Sequence, residues 1–317
     1  MTKTTTSSPR DYRATSRGSA SRALTGRARD VRLRGWLFVL PALAAYGLFV
    51  LWPLIQTVTY SLYRWDGVAP AQWVGLDNFQ TVFSDHDLVS VLAHAFQLII
   101  FFSGIPVVLG LAVATLMRRV ASRRISAAAR AVLFLPQVVP LVAAGIAWSW
   151  VLSTSGVVNQ ALSAIGFGGL TRAWLGDFGT ALPAVGVIGA WVLLGLCTVL
   201  LLVGMSKIDP ALYEAAQLDG AGAVREFVSI TLPSLRQEIG VCVTVTVIAA
   251  LSAFDIVYIS TRGGPGNATM VPGLMIYQLA FFNREVGLAS ALAVVLMVLV
   301  LVCILPIQWL TRKANES

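Results

Sequence analysis

Apolar residues come in long blocks along this chain, and polar residues are swept into the gaps between them. Six blocks are long enough for a helix to cross a hydrocarbon core, which takes about 20 residues. They cover residues 36–62, 90–117, 131–152, 181–205, 239–261 and 286–310. In lipid every backbone N–H and C=O must be paired within the spanning structure, so these blocks are predicted to be helices rather than open strands. The expected fold class is all-α: a polytopic membrane protein with six transmembrane helices, occupying residues 35–311.

The gaps carry local signals of their own. Residues 1–34 are rich in Arg, Ser and Thr without apolar periodicity, which predicts a disordered basic tail. The first block runs on well past Ala42-Leu-Ala44, so it is expected to stay as an anchor rather than be cleaved as a signal peptide. Between the first two blocks, Trp65-Asp-Gly67 predicts a turn. Asp77 there is expected to cap a short helix by accepting a backbone N–H. In residues 153–180, Val158, Leu162 and Ile165 share one helical face, and Asn159, Gln160 and Ser163 lie on another. That spacing predicts a short helix along the membrane surface, either a strut or part of a docking surface.

Residues 206–237 form a different kind of gap. Asp209 is a good N-cap, and Pro210 suits the first helical position, where a missing N–H costs nothing. A helix is predicted through Glu214-Ala-Ala216 to about Asp219, with Gly220 and Gly222 breaking it. A second helix follows, with Val224, Phe227, Val228 and Leu232 as apolar positions, ending near Pro233. Ala215 and Ala216 leave a low surface for a partner's close approach, and Glu214 and Asp219 offer carboxylates to a basic rim. The other reading is an amphipathic helix packed under the bundle.

Composition agrees with a membrane chain. Hydrophobic residues make up 57% and charged residues only 12%, against about a quarter charged in soluble domains. The net charge of +8 is unevenly spread: nineteen of the 23 Lys and Arg fall before the first block, between the second and third, between the fourth and fifth, or after the sixth. The positive-inside rule then places both termini, including residues 312–317, and the 206–237 gap in the cytoplasm. These basic residues flank lipid spans, so nucleic acid is not an expected partner. The five arginines of residues 118–130 are explained by topology and receive no chemistry.

Little else suggests catalysis. Cys197, Cys242 and Cys303 lie inside apolar blocks without metal-ligand spacing and read as small hydrophobes. His86 and His94 read as solvated or packed side chains, so no metal is expected. The chain lacks Gly-x-x-x-x-Gly-Lys-Ser/Thr, His-Glu-x-x-His and Gly-x-Ser-x-Gly. It is therefore expected to be neither an ATPase nor another enzyme.

The run Glu214-Ala-Ala-Gln-Leu-Asp-Gly-Ala221, with Phe227, Ile230 and Leu232-Pro233, resembles the EAA loop of bacterial ABC-importer permeases. Leu135-Pro136, Gly75-Leu-Asp-Asn-Phe79 and Thr261-Arg-Gly-Gly-Pro265 with Ala268-Thr269 extend the resemblance to carbohydrate importers, of the maltose and glycerol-phosphate first-permease type. It covers about residues 36–310. One departure is the absence of a second proline after Leu232-Pro233, where Ser234-Leu-Arg-Gln237 follows.

The resemblance implies a MetI-like permease fold in the bacterial plasma membrane. It implies a second permease, a homodimeric cytoplasmic ATPase that binds ATP and Mg, and an extracytoplasmic solute-binding protein. This chain would bind no cofactor. Glu214, Ala215, Ala216, Asp219, Gly220, Leu232 and Pro233 would couple to the ATPase.

For the solute pathway, Asp255 stands out, because a carboxylate at mid-membrane costs about 2.5–3.5 kcal/mol on insertion scales. Ser252 and Asp255, three apart, are expected to share a helix face, with Phe254 or Tyr258 offering a ring to a sugar. The alternative puts Asp255 near the headgroups, bonded to a neighbouring helix or to Arg262. Thr198 and Gln97 are weaker pathway candidates, explained equally by bonds between helices. Trp148 and Trp150 either stack on a sugar or anchor the interface. A stand-alone secondary transporter is the competing functional reading. It predicts charged relay residues within the spans.

Overall fold

The computed structural model describes residues 39–119 and 123–313. The expected disordered tail, 1–34, and residues 314–317 lie outside the described residues. In chain order the helices are α1 (Val39–Tyr60), α2 (Asp77–Ser84), α3 (His86–Arg118), α4 (Arg123–Val138), α5 (Leu141–Val151), α6 (Val157–Ala164), α7 (Ala181–Met205), α8 (Pro210–Leu218), α9 (Ala223–Ser234), α10 (Arg236–Leu251), α11 (Asp255–Ser260), α12 (Pro272–Phe281) and α13 (Val286–Lys313). Strands β1 (Tyr63–Arg64) and β2 (Gln72–Trp73) pair antiparallel, Tyr63 opposite Trp73. The chain divides at Gln56–Thr57 into two units; the first contributes most of α1, and the second holds everything that follows.

Among the described residues α1, α3, α7 and α13 are long and apolar enough to cross a membrane unbroken. The third and fifth expected spans are bent helix pairs rather than single helices; with each pair taken as one span the described residues hold up to six. α4 and α5 meet at 99°. Pro140 causes this break, because it lacks an N–H and pushes Val139 out of the helical region. The fifth span ends at Leu251, unwinds over Ser252–Phe254 and restarts as α11. α9 and α10 meet at 69° at Leu235.

Small residues bring the helices together, as expected where lipid provides no hydrophobic drive between them. Gly186 and Gly189 of α7 face the Phe101 and Phe102 rings of α3, and a Cβ on either would collide with its ring. A Cβ on Gly195 would collide with the Leu133 carbonyl oxygen of α4. Polar cross-links add direction: the buried Thr246 hydroxyl of α10 donates to Ser103 Oγ of α3 at 2.8 Å. His94 Nδ1 lies 2.9 Å from the Met270 carbonyl oxygen, so this histidine is packed against the loop before α12.

The loops correct two finer expectations and bear out a third. Asp77 is not a cap: it is the first residue of α2, and its side chain accepts no capping bond. Its neighbour Asn78 does the local work, donating from Nδ2 to the carbonyls of Ser61 (2.8 Å) and Tyr63 (2.9 Å). The helix expected in residues 153–180 is α6, but Asn159 does not lie on an outer polar face. It is buried, donates to the carbonyls of Ser153, Thr154 and Arg172, and accepts from Trp174 Nε1 at 2.8 Å. The expected turn at Trp65-Asp-Gly67 is present: Asp66 Oδ1 accepts from the N–H groups of Val68 (2.9 Å) and Ala69 (2.8 Å). Both bonds favour the charged carboxylate and hold its pKa below the ordinary value.

Candidate coupling element and solute cavity

α7 ends at Met205, and the chain turns directly into the polar element of residues 206–237. Asp209 caps α8, its Oδ1 accepting from Ala211 N–H at 2.9 Å, with Pro210 at the first helical position. At the other end Gly220 N–H bonds to Gln217 O (3.0 Å) and Ala221 N–H to Ala216 O (2.9 Å). This paired pattern places Gly220 in the left-handed region, at φ +75°. Gly222 sits at φ −77°, open to any residue, so only one of the two expected breakers needs to be glycine.

α9 differs from its expected apolar face. Val224 and Val228 point away from the protein, Val224 being 78% exposed, while Glu226 and Thr231 are buried. The anchor of the element is Tyr213 of α8. Its hydroxyl is 3.0 Å from Thr231 Oγ1 of α9, and its ring lies under the Arg118 guanidinium, 3.5 Å from carbon to ring centre. Arg118 closes α3, so one aromatic ring ties a membrane helix to both halves of the element. Such a cation–π contact contributes about 0.5–1 kcal/mol at an exposed site. A second tie links Lys207 Nζ to Glu238 Oε1 at 3.0 Å. Lys207 is largely exposed, so that pair stabilises by less than about 1 kcal/mol.

The residues expected to couple are mostly uncovered. Glu214, Ala215, Asp219, Gly220, Leu232 and Pro233 are exposed, and Ala216 is half-buried. Ala216 and Asp219 border a groove of about 230 Å³, whose far wall is Arg225, Ser229 and Ile230 of α9. Leu218, 90% exposed, projects beside it. The element is thus capped at its ends, tethered through one face and open on the other.

The second feature lies where the two broken spans meet. A cavity of about 360 Å³ is bordered by Gln137 and Val139 at the α4–α5 break and by Ser252, Phe254 and Asp255 at the α10–α11 break. Phe102 and Gly189 line it as well. Helix breaks expose backbone and polar side chains that a continuous span would bury. Ser252 and Asp255 do meet at one cavity, but not by sharing a helix face: Ser252 terminates α10 and Asp255 begins α11. Gln137 Oε1 is buried without a hydrogen-bond partner among the described residues. Sequence reasoning passed over Gln137, although the rule that singled out Asp255, a polar group inside an apolar block, would have found it.

The remaining candidates scatter. Thr198 is fully buried and donates to Leu194 O within α7, at 2.8 Å. Tyr258 borders a separate cleft with Tyr277. Trp148 packs edge-on against Trp191, with ring centres 5.5 Å apart, whereas Trp150 is exposed. Arg118, Tyr213 and Thr231 were missed because nothing in their spacing connects them.

Known proteins resemble this chain in sequence and fold. The chain is 33% identical over 82% of its length to the diacetylchitobiose uptake system permease protein NgcF of Streptomyces coelicolor, 77% of which is covered. It is 32% identical over 90% of its length to the lactose transport system permease protein LacF of Rhizobium radiobacter, 95% of which is covered. Its fold matches a chain from the crystal structure of a bacterial ABC transporter involved in the import of the acidic polysaccharide alginate, with a TM-score of 0.76 at 24% identity, covering 92% of this chain and 99% of that one. Residues 106–315, which contain the 206–237 element and most of the cavity lining, match the family described as binding-protein-dependent transport system inner membrane component, and the chain belongs to that family.

Proposed function

We propose that this chain is the permease subunit of an ATP-driven importer for a sugar or related polyol, paired with a second permease in the bacterial plasma membrane. The open, capped element of residues 206–237 carries this reading. A membrane protein that needed no partner would gain by covering Leu218 and Val224. Here they stand beside the groove at Ala216 and Asp219, ready for a cytoplasmic ATPase dimer that holds the ATP and Mg. Glu214, Ala215, Ala216, Asp219, Gly220, Leu232 and Pro233 make that contact. The low alanine surface admits a close approach, and the tie from Tyr213 to Arg118 passes its displacement into α3. Both termini face the cytoplasm, in keeping with the Lys and Arg bias. An extracytoplasmic binding protein delivers the solute at the opposite end.

The substrate class is supported by the relatives named for diacetylchitobiose and lactose uptake. Within this chain Ser252, Asp255 and Gln137 offer hydrogen-bonding groups to hydroxyls passing the cavity. Thr198 is the weakest pathway residue, since its hydroxyl is already engaged. A stand-alone secondary transporter is not favoured by these relatives and leaves the open element without a purpose.

The test is purification of the tagged chain from its native membrane, with co-purifying proteins identified by mass spectrometry. Recovery of a second permease, an ATPase and a binding protein is the expected result. Recovery of this chain alone, together with sugar uptake that survives its deletion, would reject the reading.

A further inference from the structure

We propose that a second cleft, at the end of the bundle opposite α8 and α9, is a binding ledge for a pyranose ring. The cleft holds about 410 Å³ and is walled by Tyr258, Tyr277 and Phe282, with Arg262, Gln278 and Asn283 at its polar side. Its aromatic wall is part of a longer chain of rings. Phe254 stacks on Tyr258 with centres 5.4 Å apart and planes 10° apart. Tyr277 meets both edge-on, at 5.6 and 5.9 Å, and also touches Phe281 and Phe282 at 5.3 and 5.6 Å. Phe254 also lines the cavity that contains Gln137 and Asp255. An unbroken aromatic path therefore runs from exposed Phe282 to that cavity.

The polar side is built with some strain. Arg262 lines the cleft from the left-handed region, φ +52°, which is costly for a residue with a Cβ. Its N–H donates to Val257 O at 2.9 Å, which fixes it at the end of α11. Aromatic residues lining one cleft with Arg262, Gln278 and Asn283 suit a ligand with one apolar face and a polar rim. A pyranose has both: axial C–H groups on its face and hydroxyls around its edge. A lipid chain would leave Arg262, Gln278 and Asn283 unused. An interfacial aromatic belt would set rings singly toward lipid instead of chaining them around a polar cleft.

This inference rests on the carbohydrate reading, and two measurements separate the two. The full-length chain in nanodiscs is probed by saturation-transfer NMR with methyl β-D-glucopyranoside and maltose, and with mannitol as an open-chain control. Transfer to pyranose ring protons, absent for mannitol, is expected; it falls at least about fivefold in Tyr277→Ala and in Phe282→Ala, and persists in Tyr277→Phe. Phe282 is 68% exposed, so its loss tests the ledge without threatening the fold. No transfer in the wild type, or equal transfer in both alanine variants, overturns the ledge. In parallel, uptake of a sugar panel is compared in cells with and without the gene. Lost uptake with no NMR effect rejects the ledge alone. Unchanged uptake with the NMR effect rejects the import reading and leaves a pyranose site.

Discussion

Helix α7 and the α8–α9 element are neighbours in sequence but are held by different physics. α7 is buried by contact: sixteen of its 25 residues are buried, and its glycines are there because other atoms occupy the space a side chain would need. The α8–α9 element is held by a few directed contacts, an N-cap, a glycine turn, one ring under one guanidinium and one hydroxyl pair. Its outer side is exposed among the described residues. The same residue type therefore answers to two rules. Gly195 is required by packing and Gly220 by backbone conformation; a Cβ at Gly220 would meet no atom within 4 Å. A rigid core fitted to its neighbours and an open, tethered element are what the proposed import mechanism requires.

The sharpest way to break this contrast is Gly195→Ala. The new methyl would collide with backbone, the Leu133 carbonyl, which cannot swing aside as a ring can. We expect a cost at the upper end of overpacking, about 3 kcal/mol, read as loss of folded protein in detergent. Normal abundance and melting temperature would show that α4 is not held against α7.

Gly220→Asp should do the opposite, keeping insertion and abundance while abolishing uptake. Asp tolerates the left-handed region better than most residues, and among the described residues a Cβ there meets no atom within 4 Å. Loss of uptake at normal abundance then reports a strained turn together with a clash at the partner surface. Normal uptake at normal abundance would sink the coupling role of the turn.

Tyr213→Phe removes only the bond to Thr231. It should cost about 1 kcal/mol and increase protease cleavage in residues 206–237, with the melting of the bundle nearly unchanged. Cleavage equal to wild type would mean that the tether is not the hydroxyl.

The smallest effect is a pH dependence at the opposite end. Asp66 has its carboxylate pKa lowered by the N–H groups of Val68 and Ala69. A depressed folded pKa stabilises the turn above the unfolded pKa, and the gain is lost as pH falls through the folded value. Trp65 donates from Nε1 to Ala69 O in the same turn, so acid should change its fluorescence. Asp66→Ala should abolish that acid transition while leaving abundance unchanged.

How far the sequence could be read varies by element. The long apolar blocks needed no tertiary information where helix and block coincide, as in α7. Pro140 was visible in the sequence, yet a proline in an apolar block either kinks a span or is accommodated within it, and Pro136 inside α4 shows the second outcome. The Ser252–Phe254 break has no proline or glycine to announce it. The closure of α8 was legible because Asp209, Pro210 and Gly220 act on their own neighbours. Val224 and Val228 misled because helical periodicity reports an apolar face without saying what covers it.

By itself the sequence determined that this is a helical membrane protein with a capped polar element between its fourth and fifth apolar blocks. Those properties depend on transfer free energy and on backbone bonding within a few residues. Only the tertiary structure decided that two spans break and meet at one cavity, that Gln137 lines it with an Oε1 that has no partner among the described residues, that Asn159 is buried, and that Arg118 lies over Tyr213. Each of these depends on which distant residues pack together, and spacing along a chain carries no such information.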